Sequence, residues 1–161
     1  MQAMRQLMTR LRLTVNEEKT RLCEVPQGYF NFLGYTFGRY YSVKTGKAYL
    51  GMRPSTPSIK RMVQAISLMT ERRRTGGDAM ELVSDLNSRL RGWANYFCLG
   101  PVSKSYRILD RHATSRLRRW LCMKHKAPST ARSCYHDVYL YKTLGLVRMR
   151  ELTQSFPWAK P

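Results

Sequence analysis

The residues of this chain best suited to chemistry are cations, and the chemistry is phosphate binding. On a helix advancing about 100° per residue, Lys104, Arg107, Arg111, Arg118 and His125 fall within roughly one sixth of a turn. A ridge of fixed positive charge fits the spacing of a phosphate backbone, whose counterions it displaces. A passive solvated face usually mixes signs, and Asp110 is the single acid in this stretch. A second cationic run, Arg72, Arg73 and Arg74, closes another helical segment. It suits the negative end of a helix dipole equally well as a phosphate contact.

Other chemistries lack their parts. The four aspartates, Asp78, Asp85, Asp110 and Asp137, are scattered, and Glu17–Glu18 is the only adjacent carboxylate pair. A two-metal nuclease or polymerase needs clustered carboxylates to hold its ions. Cys122-x-x-His125 and Cys134-x-His136 resemble metal-ligand pairs. Zinc ligands with such spacing sit on knuckles and turns, whereas Cys122 and His125 read as helical, so packing or solvent is the preferred reading and no metal is assigned. There is no glycine-rich phosphate loop, no nucleophile elbow, and no Cys or Ser with a recognisable His partner. His112 reads as a surface residue of a basic helix.

The elements that must carry the ridge follow from periodicity. Met4, Leu7, Met8 and Leu11 mark an amphipathic helix over residues 1–12. Residues 21–53 are aromatic and β-branched. RLCEV, YFNFLGYTFGRYYSV and KAYLGM read as strands, with a hairpin turn at Thr45-Gly46. Ser55 or Thr56 then caps a helix bearing Ile59, Met62, Ile66 and Met69. A second helix, from about Asp78 to Phe97, repeats Ala79, Val83, Leu86, Leu90, Trp93 and Phe97 at alternating spacings of four and three. The third, reaching about His125, has Tyr106, Leu109, Ala113, Leu117, Trp120 and Leu121 on its inner side. These stripes are core. Beyond them YHDVYLYKTLGL reads as a short helix and VRMREL as a strand. Tyr135, Tyr139 and Tyr141 suit the core better than base stacking. The fold class is α+β, mainly α: a small antiparallel sheet followed by a three-helix bundle.

Composition sets the partner. The 161 residues contain 29 Lys and Arg against 10 Asp and Glu, a net charge of +19, so a polyanion is the natural ligand. An anionic membrane would need a broad apolar face to spare, and the stripes here are narrow and used by the bundle. The start MQAMRQLMTRLRL lacks a signal peptide's apolar run. No segment approaches the length of a membrane span. Reduced thiols and a cytoplasmic location, bacterial-type cytosol or nucleoid, are expected.

Three blocks, in order, resemble the group II intron reverse transcriptase/maturase family. LRLTVNEEKTRL is similar to a late palm motif through Val15, Asn16, Lys19 and Thr20. FNFLGYTF is similar to the next palm block through Phe32, Leu33 and Gly34, with Tyr35 in place of the family's Phe. RLRGWANYF and RLRRWLCMKHK resemble the maturase-specific, or X/thumb, domain. Arg91, Gly92, Trp93, Tyr96 and Phe97, then Leu117, Arg118, Arg119 and Trp120, carry that likeness. The resemblance implies a palm remnant over residues 1–53 and a thumb/X domain over 54–161. It implies primer-grip support near Phe32–Tyr35, and RNA contacts across the thumb helices. The ridge residues would make these contacts, with Arg72, Arg73 and Arg74, Arg89 and Arg91 flanking the GW pair, and Arg119, Lys124 and Lys126. Gly92 is expected to let another backbone or RNA approach the second helix. The family's Asp-Asp hairpin is absent from this sequence, so no catalytic residue is assigned. Magnesium is expected only in the full-length enzyme, and no cofactor in this chain. The implied partners are group II intron RNA or an RNA/DNA template–primer, and a separate fingers/palm chain or a second copy. The rival functional readings are one piece of a split reverse transcriptase and a non-specific nucleic-acid-binding remnant.

Overall fold

The computed structural model describes residues 2–14, 16, 28–42, 45–127 and 135–152. Helix α1 (Gln2–Arg10) comes first. Then follow strands β1 (Phe30–Phe32), β2 (Tyr35–Tyr41) and β3 (Ala48–Pro54), an antiparallel sheet in the order β1-β2-β3. Helices α2 (Thr56–Met69), α3 (Ala79–Tyr96) and α4 (Ser103–Lys124) build the bundle. A π-helical turn (Tyr139–Thr143) and a 3₁₀ turn (Met149–Leu152) close it. The class is α+β and mainly α. The strand expected at RLCEV, and Val15, Lys19 and Thr20 of the late palm block, lie outside the described residues, whereas Asn16 is an exposed coil residue.

Local chemistry sets the helix starts. Ser55 is extended, and its Oγ accepts the Ser58 N–H at 3.3 Å, with Pro57 in the first turn where its missing donor costs nothing. The Asp78 carboxylate accepts the N–H groups of Met80 and Glu81 at 2.9 and 3.1 Å. The Glu81 bond in particular holds that carboxyl below the usual carboxylate range. The predicted stripes meet in one core. Ile66, Leu86, Leu90, Leu109, Leu117 and Trp120 are all buried. Each large apolar side chain there contributes about 1.5–3 kcal/mol on removal from water. Tyr135, Tyr139 and Tyr141 pack against this core from the C-terminal segment.

The sheet joins the bundle at one corner, and RLRGWANYF makes the joint. Leu33 (φ 47°) and Gly34 (φ 80°) form a two-residue turn with both φ values positive, the type I′ signature. Tyr96 Oη donates to the Leu33 carbonyl at 2.9 Å, and Tyr35 Oη donates back to the Tyr96 carbonyl at 2.7 Å. The Gly34 carbonyl accepts from Ser55 N–H at 2.8 Å and from Ser58 Oγ at 3.0 Å. The Phe97 ring fills the space beside Gly34 and lies 5.0 Å from the Tyr35 ring. Trp93 continues the contact inward, 4.4 Å from Phe97 and 6.1 Å from Tyr106. Tyr106 Oη, donating to the Ala94 and Phe97 carbonyls, has its pKa pushed up to about 12 by burial.

Four local expectations are corrected. YFNFLGYTFGRYYSV is two strands rather than one, because Leu33-Gly34 turns the chain. VRMREL is a 3₁₀ turn rather than a strand. Side chains take its donors, Asn87 Oδ1 accepting Val147 N–H and Asp110 Oδ1 accepting Met149 N–H, so no ladder is needed. Arg72–Arg74 do not end α2, which stops at Met69; they form a separate 3₁₀ turn. At Gly92 only the backbone half of the expectation is corrected: the residue is exposed on α3 with no atom of the described chain within 4 Å of where a Cβ would stand, and that open space does not bear on approach by RNA. The close approach is instead at Gly100 (φ 77°), where a Cβ would overlap the Met52 carbonyl. Gly100→Ala therefore lowers stability by about 2–5 kcal/mol, combining left-handed backbone strain with overpacking. Gly76→Ala, with open space around it, leaves stability within about 1 kcal/mol, both changes being measured by urea titration.

Candidate nucleic-acid interface

Helix α4 presents two faces of opposite character. Leu109, Ala113, Leu117 and Trp120 are buried, while Lys104, Arg107, Arg111 and Arg119 are exposed. Burial of the inner face fixes the rotation of the helix, and so fixes where the cations point. Asp110, the one acid, is turned inward onto the 3₁₀ turn. Burial raises its carboxyl pKa against the lowering effect of the Met149 and Arg150 N–H groups and of the Arg148 and Arg150 charges.

The cations divide by what they touch. Arg116, which at about 100° per residue falls beside the buried stripe of α4 and not on the ridge, clasps the end of α2. Its Nε donates to Thr70 Oγ1 at 2.9 Å, and its Nη2 to the Ser67 and Thr70 carbonyls at 2.8 and 3.1 Å. A positive charge thus meets the negative end of α2, supplied by another helix and not by Arg72–Arg74. Arg118 is half-buried, donates to the Tyr135 carbonyl at 2.8 Å and pairs with the Asp137 carboxylate. Lys124 Nζ donates to the Gly77 and Thr75 carbonyls at 2.7 and 3.3 Å and lies over the Trp120 ring. Arg73 pairs with Glu71 at 2.9 Å. Arg72, Arg74, Arg89, Arg91 and Lys126 are exposed.

Two hollows gather some of them. An open cleft of about 890 Å3 is lined by Arg72, Arg116, Arg118, Arg119 and Lys126, with Ser115, Cys122, Met123 and Ala127 between them. A smaller one, about 410 Å3, lies between Arg107 and Arg150 beside Ser103 and Tyr106. Arg107 and Arg119 stand roughly 18 Å apart along the helix axis at 1.5 Å per residue. Of the predicted contacts, Arg72, Arg118, Arg119 and Lys126 share the cleft. Arg73, Arg74, Arg89, Arg91, Lys104, Arg111 and Lys124 line neither hollow. The sequence reading missed Arg116 and Arg150. Arg150 carried no signal, because its turn was read as a strand. Arg116 precedes a core leucine, but its partners are the Thr70 hydroxyl and the Ser67 and Thr70 carbonyls, some 46–49 residues away, which no local pattern reveals.

Among the described residues, no three His, Cys, Asp or Glu gather where they could hold a metal ion. Asp78 caps α3, Asp110 takes the Met149 N–H and Asp137 pairs with Arg118, so this set does not fit a magnesium pair. Cys122 and His125 lie in and at the end of α4, and Cys134 lies outside the described residues. No described helix is long and apolar enough to cross a membrane.

His112 is half-buried, its Nε2 2.9 Å from Ser67 Oγ. Burial, then the Arg116 charge, lowers its pKa despite the Val63 carbonyl. Its stabilising contribution is complete above the ordinary imidazole value and is lost as pH falls through the lowered folded value. Urea titrations across this range will show His112→Gln losing less stability on acidification than the unaltered chain. Arg116→Ala is expected to cost about 2 kcal/mol, the scale of losing charged hydrogen bonds. Arg107→Ala, on the exposed face, should stay within about 0.5 kcal/mol by the same measurement.

A basic helical face over a bundle is common to many nucleic-acid-binding proteins and by itself names none. A search of curated proteins finds no match. A family model described as the group II intron, maturase-specific domain matches residues 59–139. That stretch runs from the first turns of α2 through all of α3 and α4 into the π-helical turn, and includes the GWANYF joint and the cationic face. Since it spans half of the chain, the protein belongs to the group II intron maturase-specific domain family.

Proposed function

We propose that this chain binds group II intron RNA through the outer face of α4 and the cleft at its C-terminal end, and so helps the RNA fold and splice. The observation that carries the reading is the exposed row Lys104, Arg107, Arg111 and Arg119, running into the cleft that Arg72 and Lys126 border. Membership of the maturase-specific family makes intron RNA the natural polyanion. Folded RNA is recognised chiefly through shape, phosphate and 2′-hydroxyl contacts, and a rigid row of guanidinium groups is suited to that task. Splicing chemistry belongs to the RNA, with the protein supplying counter-charge and a fixed surface. Template–primer binding would use the same surface.

The division of the cations says which to change. Arg116, Arg118 and Lys124 have intramolecular partners, so replacing them confounds binding with folding. Reversing Arg107, Arg111 and Arg119 to Glu is expected to abolish intron RNA binding in a filter assay while the circular dichroism melt stays nearly unchanged. Single Arg→Ala changes at these positions should each reduce the salt dependence of log Kobs by about one unit of slope. Full binding by the triple reversal would overturn the proposal.

A further inference from the structure

One face of the sheet carries an aromatic cluster that the α4 surface does not use. In the antiparallel register Gly38 pairs with Gly51 and Tyr40 with Tyr49, so all four share a face, together with Arg53 opposite Thr36. Tyr29, just before β1, covers the same side. A Cβ at Gly38 would overlap the Tyr29 ring, and one at Gly51 would stand 2.6 Å from the Tyr49 ring and 3.1 Å from that of Tyr40. The paired glycines therefore let three rings lie down on the backbone.

Two of the hydroxyls are tethered. Tyr29 Oη donates to the Arg39 carbonyl at 3.2 Å and Tyr40 Oη to the Thr36 carbonyl at 3.1 Å. Ring centroids step from Tyr29 to Tyr40 at 6.1 Å and from Tyr40 to Tyr49 at 6.2 Å. The Arg53 guanidinium sits over the central Tyr40 ring, 5.2 Å from its centroid. The flanking rings remain open: Tyr29 is 58% and Tyr49 42% exposed.

Laid-down rings beside an exposed guanidinium, in a chain of net charge +19, match one ligand chemistry. Unpaired bases stack on aromatic and guanidinium planes while their phosphates meet the cation. A duplex keeps its base faces stacked within itself and offers none to these rings. We propose that this sheet face binds single-stranded RNA, with Tyr29 and Tyr49 as stacking platforms on either side of Tyr40 and Arg53. The site is separate from α4 and does not depend on the reading given to that helix.

The test must separate stacking from mere cover of the glycine backbone. Leucine keeps the cover and removes the π-face; phenylalanine keeps both. Fluorescence anisotropy of the full chain would be measured with a labelled single-stranded oligoribonucleotide, the matching single-stranded DNA and a blunt RNA duplex. In the Tyr29→Leu/Tyr49→Leu chain the single-stranded RNA Kd should rise about tenfold or more, with the duplex Kd held within about twofold. The Tyr29→Phe/Tyr49→Phe chain should bind single strands as the unaltered protein does, and the DNA strand should follow the RNA strand in sign. Unchanged single-strand binding in the leucine chain, equal losses on strand and duplex, or loss in the phenylalanine chain would overturn the proposal. Failure of the α4 reading would appear instead in the charge-reversal experiment on intron RNA and would leave this result standing.

Discussion

Burial of one side of α4 is the constraint on which the rest of the molecule depends. Leu109, Ala113, Leu117 and Trp120 cannot leave the core without opening it. The helix therefore has one allowed rotation, and Lys104, Arg107, Arg111 and Arg119 are held on the outside whether or not a ligand is present. Charges of one sign along a single helix repel one another. The apolar contacts, together with the Arg116 clasp on α2 and the Lys124 tie to the loop before α3, hold that repulsion in a fixed geometry. Preorganisation of this kind means that little ordering cost remains to be met on binding.

The second organising contact is the reciprocal pair of tyrosines. Tyr96 bonds the turn at Leu33, and Tyr35 bonds the end of α3. The sheet is therefore attached through its turn rather than through its whole face, leaving Phe32 and Leu50 exposed on one side and the Tyr29–Tyr40–Tyr49 cluster on the other. GWANYF and FNFLGYTF, which read as two separate blocks along the chain, are the two halves of one joint. Gly34 lies at its centre because both its positive φ and the space occupied by Phe97 exclude a side chain.

Much of this was legible in advance. The helix stripes announced the core because a buried face repeats every three or four residues, and Ser55 or Thr56 announced the start of α2 through local capping chemistry, whereas the start of α3 near Asp78 was read without its cap. The cationic ridge was legible for the complementary reason, since it is the unburied remainder of the same helix. What stayed hidden was pairing with the backbone. Arg116 reaches carbonyls of α2, and Arg118 reaches the Tyr135 carbonyl; both connections exist only once the chain is folded. Arg118 was thus grouped with the exposed arginines by angle alone. VRMREL misled because alternating apolar residues resemble a strand even where Asn87 and Asp110 satisfy the donors. The glycines of β2 and β3 gave no signal of their own. Their meaning lies in the register that pairs them.

The most direct measurement is equilibrium binding of the chain to a group II intron RNA, titrated with salt and with an excess of unrelated structured RNA. A maturase-type surface predicts binding that persists against the competitor at near-physiological salt, with a salt slope that counts the exposed arginines. Binding that collapses equally for both RNAs would contradict it and reduce the cationic face to a generic polycation.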